Sequence, residues 1–329
     1  MVEVDTLIVG GGPAGSSCAW RLRRHGVECL LLDRAAFPRL KLCAGWVTPE
    51  VLRDLELEPG EYPFSFLTFE SLRFGWGAFG VGLKTRQHSI RRIEFDAWLL
   101  RRSGVEVVTH NVREIRRDGA RFVVDGQWRC RRLVGAGGTR CPVHRALFRE
   151  IAPRKAGKQA VVLEEEFPYE WDDASCRLWF FEQRLPGYSW YVPKAGGHLN
   201  VGVGAIAQDL KARGDSIGPH WSRLTAKLVR RGLVPERRWD EGGYTYYLRS
   251  GRDLIECDGA FLVGDAAGLA TTDLAEGIGP AVRSGLAVAD AIARQRPATF
   301  AHLSRRSLPA MLREHGGLPS FLPRLLGWN

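Results

Sequence analysis

The stretch Asp5-Thr6-Leu7-Ile8-Val9-Gly10-Gly11-Gly12-Pro13-Ala14-Gly15 decides the fold. Asp5 to Val9 is a short apolar run of strand type. The glycines interrupt it, and a helical pattern then continues to His25 and stops at Gly26, the residue type a helix C-terminus favours. A second strand, Val27 to Leu32, leads directly into Asp33. The glycines play separate parts, since Gly10 permits the tight turn, Gly12 lets backbone approach a pyrophosphate, and Gly15 lets the helix pack closely on the strand. With Pro13 and Ala14 between them, they place the unpaired N–H groups and positive end of the helix against phosphates. Asp33, 18 residues after Gly15, can accept hydrogen bonds from ribose hydroxyls. The motif predicts a dinucleotide site but does not distinguish NAD from FAD.

A second glycine-rich turn lies near the other end of the chain. Ala260-Phe261-Leu262-Val263 reads as a buried strand and enters Gly264-Asp265-Ala266-Ala267-Gly268. Glu276-Gly277-Ile278-Gly279-Pro280 then opens a long helix reaching about Arg294. This pair of motifs resembles the p-hydroxybenzoate hydroxylase-like flavoproteins, and particularly their geranylgeranyl reductase branch. The resemblance implies FAD as cofactor, with Asp265 on its ribityl or pyrophosphate part and the backbone of Gly277 and Ile278 beside the flavin pyrimidine ring. A helix N-terminus suits that place, because reduced flavin carries negative charge around N1 and O2.

Three further segments support the branch. Arg39-Leu40-Lys41-Leu42-Cys43-Ala44-Gly45 resembles its FPRxKxCGG loop, which runs past the flavin. Arg92-Ile93-Glu94-Phe95-Asp96 resembles its RxxFD helix start, whose Arg contacts FAD; Arg91 is an adjacent rival for Arg92. Pro186 to Pro193, with Asn200-Val201-Gly202-Val203-Gly204, resembles its YxWxFP and GxG signatures. The resemblance spans roughly residues 4–295. It also implies FAD contacts from Arg34, Lys41, Cys43, Ala44, Gly45, Val112 and Gly138, and a substrate pocket lined by Trp46, Tyr188 and Trp190. Two departures stand out. Gly137 replaces an acid that helps hydroxylase relatives organise FAD and NADPH, which puts direct use of NADPH in question, and Val192 replaces the usual Phe.

The fold implied is α/β: a Rossmann-like FAD-binding domain with a β-meander, plus an inserted antiparallel β-sheet substrate domain, the p-hydroxybenzoate hydroxylase-like fold. The expected division is residues 1–60, 88–150 and 255–329 for FAD, and 61–87 and 151–254 for substrate. The meander is expected between Val105 and Val134, where Asp118-Gly119 and Asp125-Gly126 are strong turn dipeptides. Strands are expected at Val161 to Phe167, Arg177 to Glu182, Tyr188 to Val192, Leu199 to Ala205 and Tyr244 to Leu248, with a helix near His220 to Arg231. Aromatic residues concentrate in this part and in the block Phe64, Phe66, Phe69, Phe74, Trp76 and Phe79. Facing a flavin, such sheets would form a roomy apolar pocket.

Composition narrows the function classes. A chain of 329 residues, 45% hydrophobic and 26% charged, can bury a large core. The acidic start, Met1 to Asp5, is unlike a basic leader, and no apolar run approaches the roughly 18 residues of a spanning helix. Seven dispersed cysteines without a CxxC pair argue against a disulfide framework and a zinc site, and a reducing cytoplasm is the simplest setting. The net charge of +10 favours anionic partners, but the arginines are scattered without interleaved aromatics, so no nucleic acid is expected. The mixture of apolar and basic residues from Phe300 to Asn329 suits either peripheral contact with anionic lipid or a helix packed on the FAD domain.

The leading expectation is a reductase of carbon–carbon double bonds in an isoprenoid or other hydrophobic substrate, served by an external electron donor of NAD(P)H, flavin or ferredoxin type. The alternatives are an FAD-dependent monooxygenase and a flavin-bound redox sensor without turnover. Cys43, near Lys41 and Arg39, is a candidate for redox or proton chemistry. No proton donor stands out in the motifs.

Overall fold

The computed structural model describes residues 1–76, 79–251 and 255–307. Its N-terminal unit is a mostly parallel sheet. Strand β1 (Val2–Val9) lies between β2 (Cys29–Asp33) and a strand at Trp128–Gly135, parallel to both, with Ile8 opposite Leu31 and Val134. Strands buried on both faces must be apolar throughout, and Leu7, Ile8 and Leu31 are fully buried. Helix α1 (Pro13–Arg24) covers one face together with the long helix Ile278–Ala293.

The chain next forms β3 (Trp46–Val47), α2 (Pro49–Asp54), the hairpin β4 (Phe66–Trp76) and β5 (Phe79–Ile90), α3 (Arg92–Ser103) and β6 (Glu106–Thr109). The expected meander is shorter than its sequence span. β6 belongs to the Rossmann sheet, parallel to β2, because Gly104 ends α3 in the left-handed region at φ 64° and sends the chain back along the sheet. Only β7 (Ile115–Asp118), β8 (Arg121–Val124) and β9 (Trp128–Gly135) form a meander. Asp125 and Gly126, at φ 47° and 66°, make the turn between the last two.

The second sheet contains β3, β4 and β5 with β10 (Gln159–Pro168), β11 (Cys176–Phe180), β12 (Gly187–Lys194), β13 (His198–Ile206) and β14 (Gly242–Tyr247), in the order β14-β10-β13-β12-β11-β4-β5-β3. It is not purely antiparallel. β11 runs parallel to β4, because the chain leaves after the β4–β5 hairpin to complete the Rossmann sheet before it returns. Helices α4 (Ala207–Ala212) and α5 (Ile217–Arg230) follow β13. Trp221, Leu224 and Leu228 of α5 cover one face of this sheet. Alternation along the strands puts Val162, Leu178, Phe180, Trp190 and Val192 on the other face.

Strands β15 (Glu256–Cys257) and β16 (Ala260–Leu262) return to the Rossmann sheet beside β9, and α6 (Ile278–Ala293) closes the unit. Residues 300–307 contain no helix. They pack through Phe300 and Leu303, whose carbonyls accept from Arg249. The rest of the expected amphipathic tail lies outside the described residues, as do the side chains of Trp76 and Phe79.

Candidate functional site

The first glycine turn is held by contacts that leave no room for side chains. Gly10 sits at φ 115°, and a Cβ there would lie 2.4 Å from the Ala136 carbonyl oxygen; one on Gly15 would lie 1.9 Å from that of Gly10. A Cβ on Gly12 would meet only Arg39 Nη2, at 3.5 Å, which leaves its backbone open to a ligand. Asp33 Oδ2 accepts from the Gly11 N–H at 2.7 Å and Oδ1 from Ala35 N–H at 2.9 Å. The acid at the end of β2 therefore also ties down the turn. Pro13 and Ala14 are the buried first residues of α1. Gly285 of α6 belongs to none of the motifs, yet its Cβ would lie 2.2 Å from the Ala14 carbonyl, so α6 crosses α1 in direct backbone contact.

The second turn meets the first. Gly264, at φ 57°, donates to Ser284 Oγ of α6 at 2.9 Å, and a Cβ on it would touch Ala14. Asp265 lies beside the start of α6: its Oδ1 is 3.6 Å from where a Cβ of Gly277 would be. Ile278 is buried against α2 and α3. Glu276, to which the motifs give no role, caps this helix start. Its carboxylate accepts from Gly279 N–H, and desolvation lifts its pKa to about 7.

The loop 39–45 links the two sheets, and its contacts correct one expectation. The Arg92 guanidinium makes a bidentate pair with the fully buried Asp96, at 2.7 and 2.8 Å, and also donates to the Cys43 thiol. Arg92 is thus a cation in contact with the Cys43 thiol. Arg39, expected beside Cys43, stacks on Phe37 and reaches Asp96 at 3.4 Å. Arg91 pairs with Glu166 at 2.8 Å. Gly45, at φ 66°, runs so close to Ile90 that a Cβ would lie 2.1 Å from its carbonyl oxygen and 2.8 Å from Lys194 Nζ. Ala44 packs against the aromatic face, and Lys41 Nζ stands 4.0 Å over the Tyr244 ring. Arg34 is exposed, Val112 is buried in the core under the meander, and Gly138, at φ 69°, has open space about it.

Tyr188 and Trp190 lie side by side on β12, ring centroids 5.7 Å apart. Tyr188 Oη donates to the Leu274 carbonyl at 2.5 Å and Trp190 Nε1 to Asn200 Oδ1 at 2.7 Å. The GxG of β13 accounts for the indole position, since a Cβ on Gly202 would lie 2.2 Å from Trp190. Trp46 donates to Gln87 at 3.0 Å and packs edge-on against Phe69. Tyr244 and Tyr246 stack on the same face.

Beneath the loop lies a polar floor that no motif marks. Lys194 is fully buried, 2.5 Å from Glu166 and 3.4 Å from the Cys43 carbonyl. Glu164 is fully buried, and neither carboxylate oxygen has a hydrogen-bond partner among the described residues. The visible signal is three consecutive acids, Glu164-Glu165-Glu166, inside an apolar strand. Alternation must send two of them to one face.

These features have counterparts elsewhere. The family model of an NAD(P)-binding Rossmann-like domain matches residues 8–52. An uncharacterized protein of Methanosarcina barkeri is 30% identical over 313 residues, covering 89% of this chain and 75% of that protein. A menaquinone reductase of Mycobacterium tuberculosis is 27% identical over 325 residues, covering 88% and 76%. A geranylgeranyl diphosphate reductase of Rhodobacter capsulatus is 26% identical over 319 residues, covering 88% and 75%. The chain belongs to the geranylgeranyl reductase-like flavoproteins. Among solved structures, a geranylgeranyl bacteriochlorophyll reductase-like protein from Thermoplasma acidophilum superposes with a TM-score of 0.77 at 20% identity, over 89% of this chain and 79% of that one, and so shares the fold.

As a geranylgeranyl reductase-like flavoprotein, the protein is an FAD-dependent oxidoreductase. The residues present fit that cofactor. The turn at Gly12 is open, Asp265 has no side-chain hydrogen bond among the described residues, and the α6 N-terminus lies beside it. No helix among the described residues is long and apolar enough to cross a membrane.

Proposed function

We propose that the protein reduces carbon–carbon double bonds of an isoprenoid or similarly hydrophobic lipid. The observation that carries this reading is the single sheet face on which Trp46, Phe69, Tyr188, Trp190, Tyr244 and Tyr246 gather, beside the loop 39–45. An apolar, aromatic wall of this kind suits an alkenyl chain and excludes water. The names of the geranylgeranyl and menaquinone reductases among its relatives support the same substrate class.

In this reading the backbone of Gly10, Gly12, Pro13, Ala14 and Gly15 cradles the FAD pyrophosphate. Asp33 takes the ribose, with Arg34 and Val112 near the adenosine end, while Gly138 and Asp265 hold the middle of the cofactor. Gly277 and Ile278 face the pyrimidine edge. Lys41, Cys43, Ala44 and Gly45 form the strip beside the ring, and Arg92 fixes that strip through Cys43 and Asp96. Bound FAD, once reduced, supplies the hydride. Tyr188 and Trp190, each anchored by a hydrogen bond, hold the substrate chain in place.

The electrons come from an external donor of NAD(P)H, flavin or ferredoxin type. We place the protein in the cytoplasm, with peripheral contact to lipid as the route of its substrate; the net charge of +10 supports approach to an anionic surface.

Product mass tests the reading. Anaerobic incubation of the reduced protein with a polyprenyl lipid should add two hydrogens per reduced bond, whereas a product heavier by oxygen after aeration would assign the monooxygenase reaction that the same fold also supports. Cys43→Ala should leave a folded flavoprotein with altered turnover, and an unchanged rate would remove the thiol from the chemistry.

A further inference from the structure

We propose that Glu164 is the acid that delivers the proton to the substrate carbon when the double bond is reduced, an assignment that rests on the reductase reading above.

Glu164 lies in the middle of β10, opposite Gly202 of β13 on one side and Gly242 of β14 on the other. Gly202 leaves room for Glu164 and Trp190, and Gly242 leaves room for Leu42 of the loop 39–45. A Cβ on Gly202 would lie 2.7 Å from that of Glu164 and 2.2 Å from Trp190; one on Gly242 would lie 2.2 Å from Leu42. The Glu164 side chain therefore leaves β10 beside Trp190 of the aromatic wall, and Lys41 of the loop 39–45 is among the charges that act on its carboxyl. Alternation puts Val162, Glu164 and Glu166 on this face and Glu165 on the other, where Arg237 and the Asp240 N–H hold it.

A fully buried carboxyl with neither oxygen hydrogen-bonded is rare in folded proteins and calls for a reason. Lys194 of β12, Lys41 of the loop, Arg92 of α3 and Glu166 of its own strand all act on it electrostatically, as do Tyr244 and Tyr246 of β14 and Tyr188 of β12. Burial outweighs the three cations and raises the pKa to about 7, so the acid form is well populated at neutral pH.

The neighbouring groups are otherwise committed. Glu166, although burial opposes it, is held below the ordinary carboxylate range by Lys194 and Arg91. Tyr188 donates to Leu274, Glu276 accepts at the start of α6, and the Cys43 sulfur accepts from Arg92 and Gly45.

The step balances. Hydride from two-electron-reduced FAD adds to one carbon of the double bond. The π pair forms a C–H bond at the other carbon with the Glu164 proton as its O–H bond breaks. FAD is left oxidised and Glu164 ionised, and the carboxylate regains a proton from solvent. Lys41 and Lys194 stabilise the carboxylate until then.

Two measurements on the FAD-loaded protein test this. In infrared difference spectra between about pH 5 and pH 9, buried carboxylic C=O absorption should disappear with a midpoint near 7 from both Glu164 and Glu276; Glu164→Gln should remove the Glu164 share and leave that of Glu276, and undiminished absorption in the variant overturns the assignment. In anaerobic single turnovers of reduced protein with a polyprenyl lipid, the wild-type rate should fall above about pH 7. Glu164→Gln, with FAD content and melting temperature preserved, should be about 100-fold slower or more and lack that pH limb, with partial recovery in Glu164→Asp. A variant as fast as wild type with the same pH limb overturns the role of Glu164 alone. A wild-type protein that never reduces the lipid overturns the reductase reading, and this assignment with it.

Discussion

Gly15→Val is expected to yield a protein without bound FAD, destabilised by about 3 kcal/mol or more. The reason is space. A Cβ at residue 15 would lie 1.9 Å from the Gly10 carbonyl oxygen and 3.1 Å from the Ala136 side chain, and the first of these is backbone that cannot rotate away. Relief requires α1 to lift from β1, which moves its N-terminal N–H groups from the pyrophosphate position and breaks the contact of α1 with α6 at Gly285. The flavin-to-protein absorbance ratio and urea unfolding read the two effects. Gly12→Ala is the control, because its Cβ meets only the flexible tip of Arg39 at 3.5 Å: the fold should be kept and only FAD affinity should fall. A Gly15→Val protein with a full complement of FAD would contradict this packing argument.

Lys194→Met is expected to destabilise the protein by about 3–5 kcal/mol near pH 8 and by less near pH 5, because it removes one partner of a buried ion pair. Glu166 would be left with Arg91 alone, and Glu164 would lose one of its three cations. The sign of the pH dependence follows from the direction of each shift. The folded-state pKa of Glu166 is lowered, so its stabilisation is present above the ordinary carboxylate range and lost as pH falls through the folded value. That of Glu164 is raised, so its ionisation subtracts stability as pH rises toward about 7. Losing Lys194 removes the first contribution and enlarges the second, and both changes make the penalty grow with pH. Urea unfolding at the two pH values measures it.

Much of this fold is legible in the sequence because it depends on local pattern. The strand, glycine turn and helix at residues 5–26 require backbone geometry that few other residues allow, and the GDAAG turn and the helix start at Gly277-Ile278 do likewise. What sequence does not supply is the register between distant segments. The floor of the site exists because β10 sets Glu164 opposite Gly202 and Gly242 while β12 carries Lys194 to the same face, and those strands find one another only in the folded sheet. Without that register, a run of three acids reads as a solvated face. The Arg92–Asp96 pair has a local signature in its four-residue spacing on a helix. The parallel pairing of β4 with β11 and the strand at Glu106–Thr109 are hidden for the register reason, since a short β-rich run does not state which edge it joins.

The most direct test of the central claim is the flavin spectrum of the dithionite-reduced protein, recorded without oxygen as a polyprenyl lipid is added. Return of the oxidised flavin bands in step with formation of a lipid two hydrogens heavier is the predicted result. A flavin that stays reduced with the lipid and reoxidises only when oxygen is admitted would contradict the account.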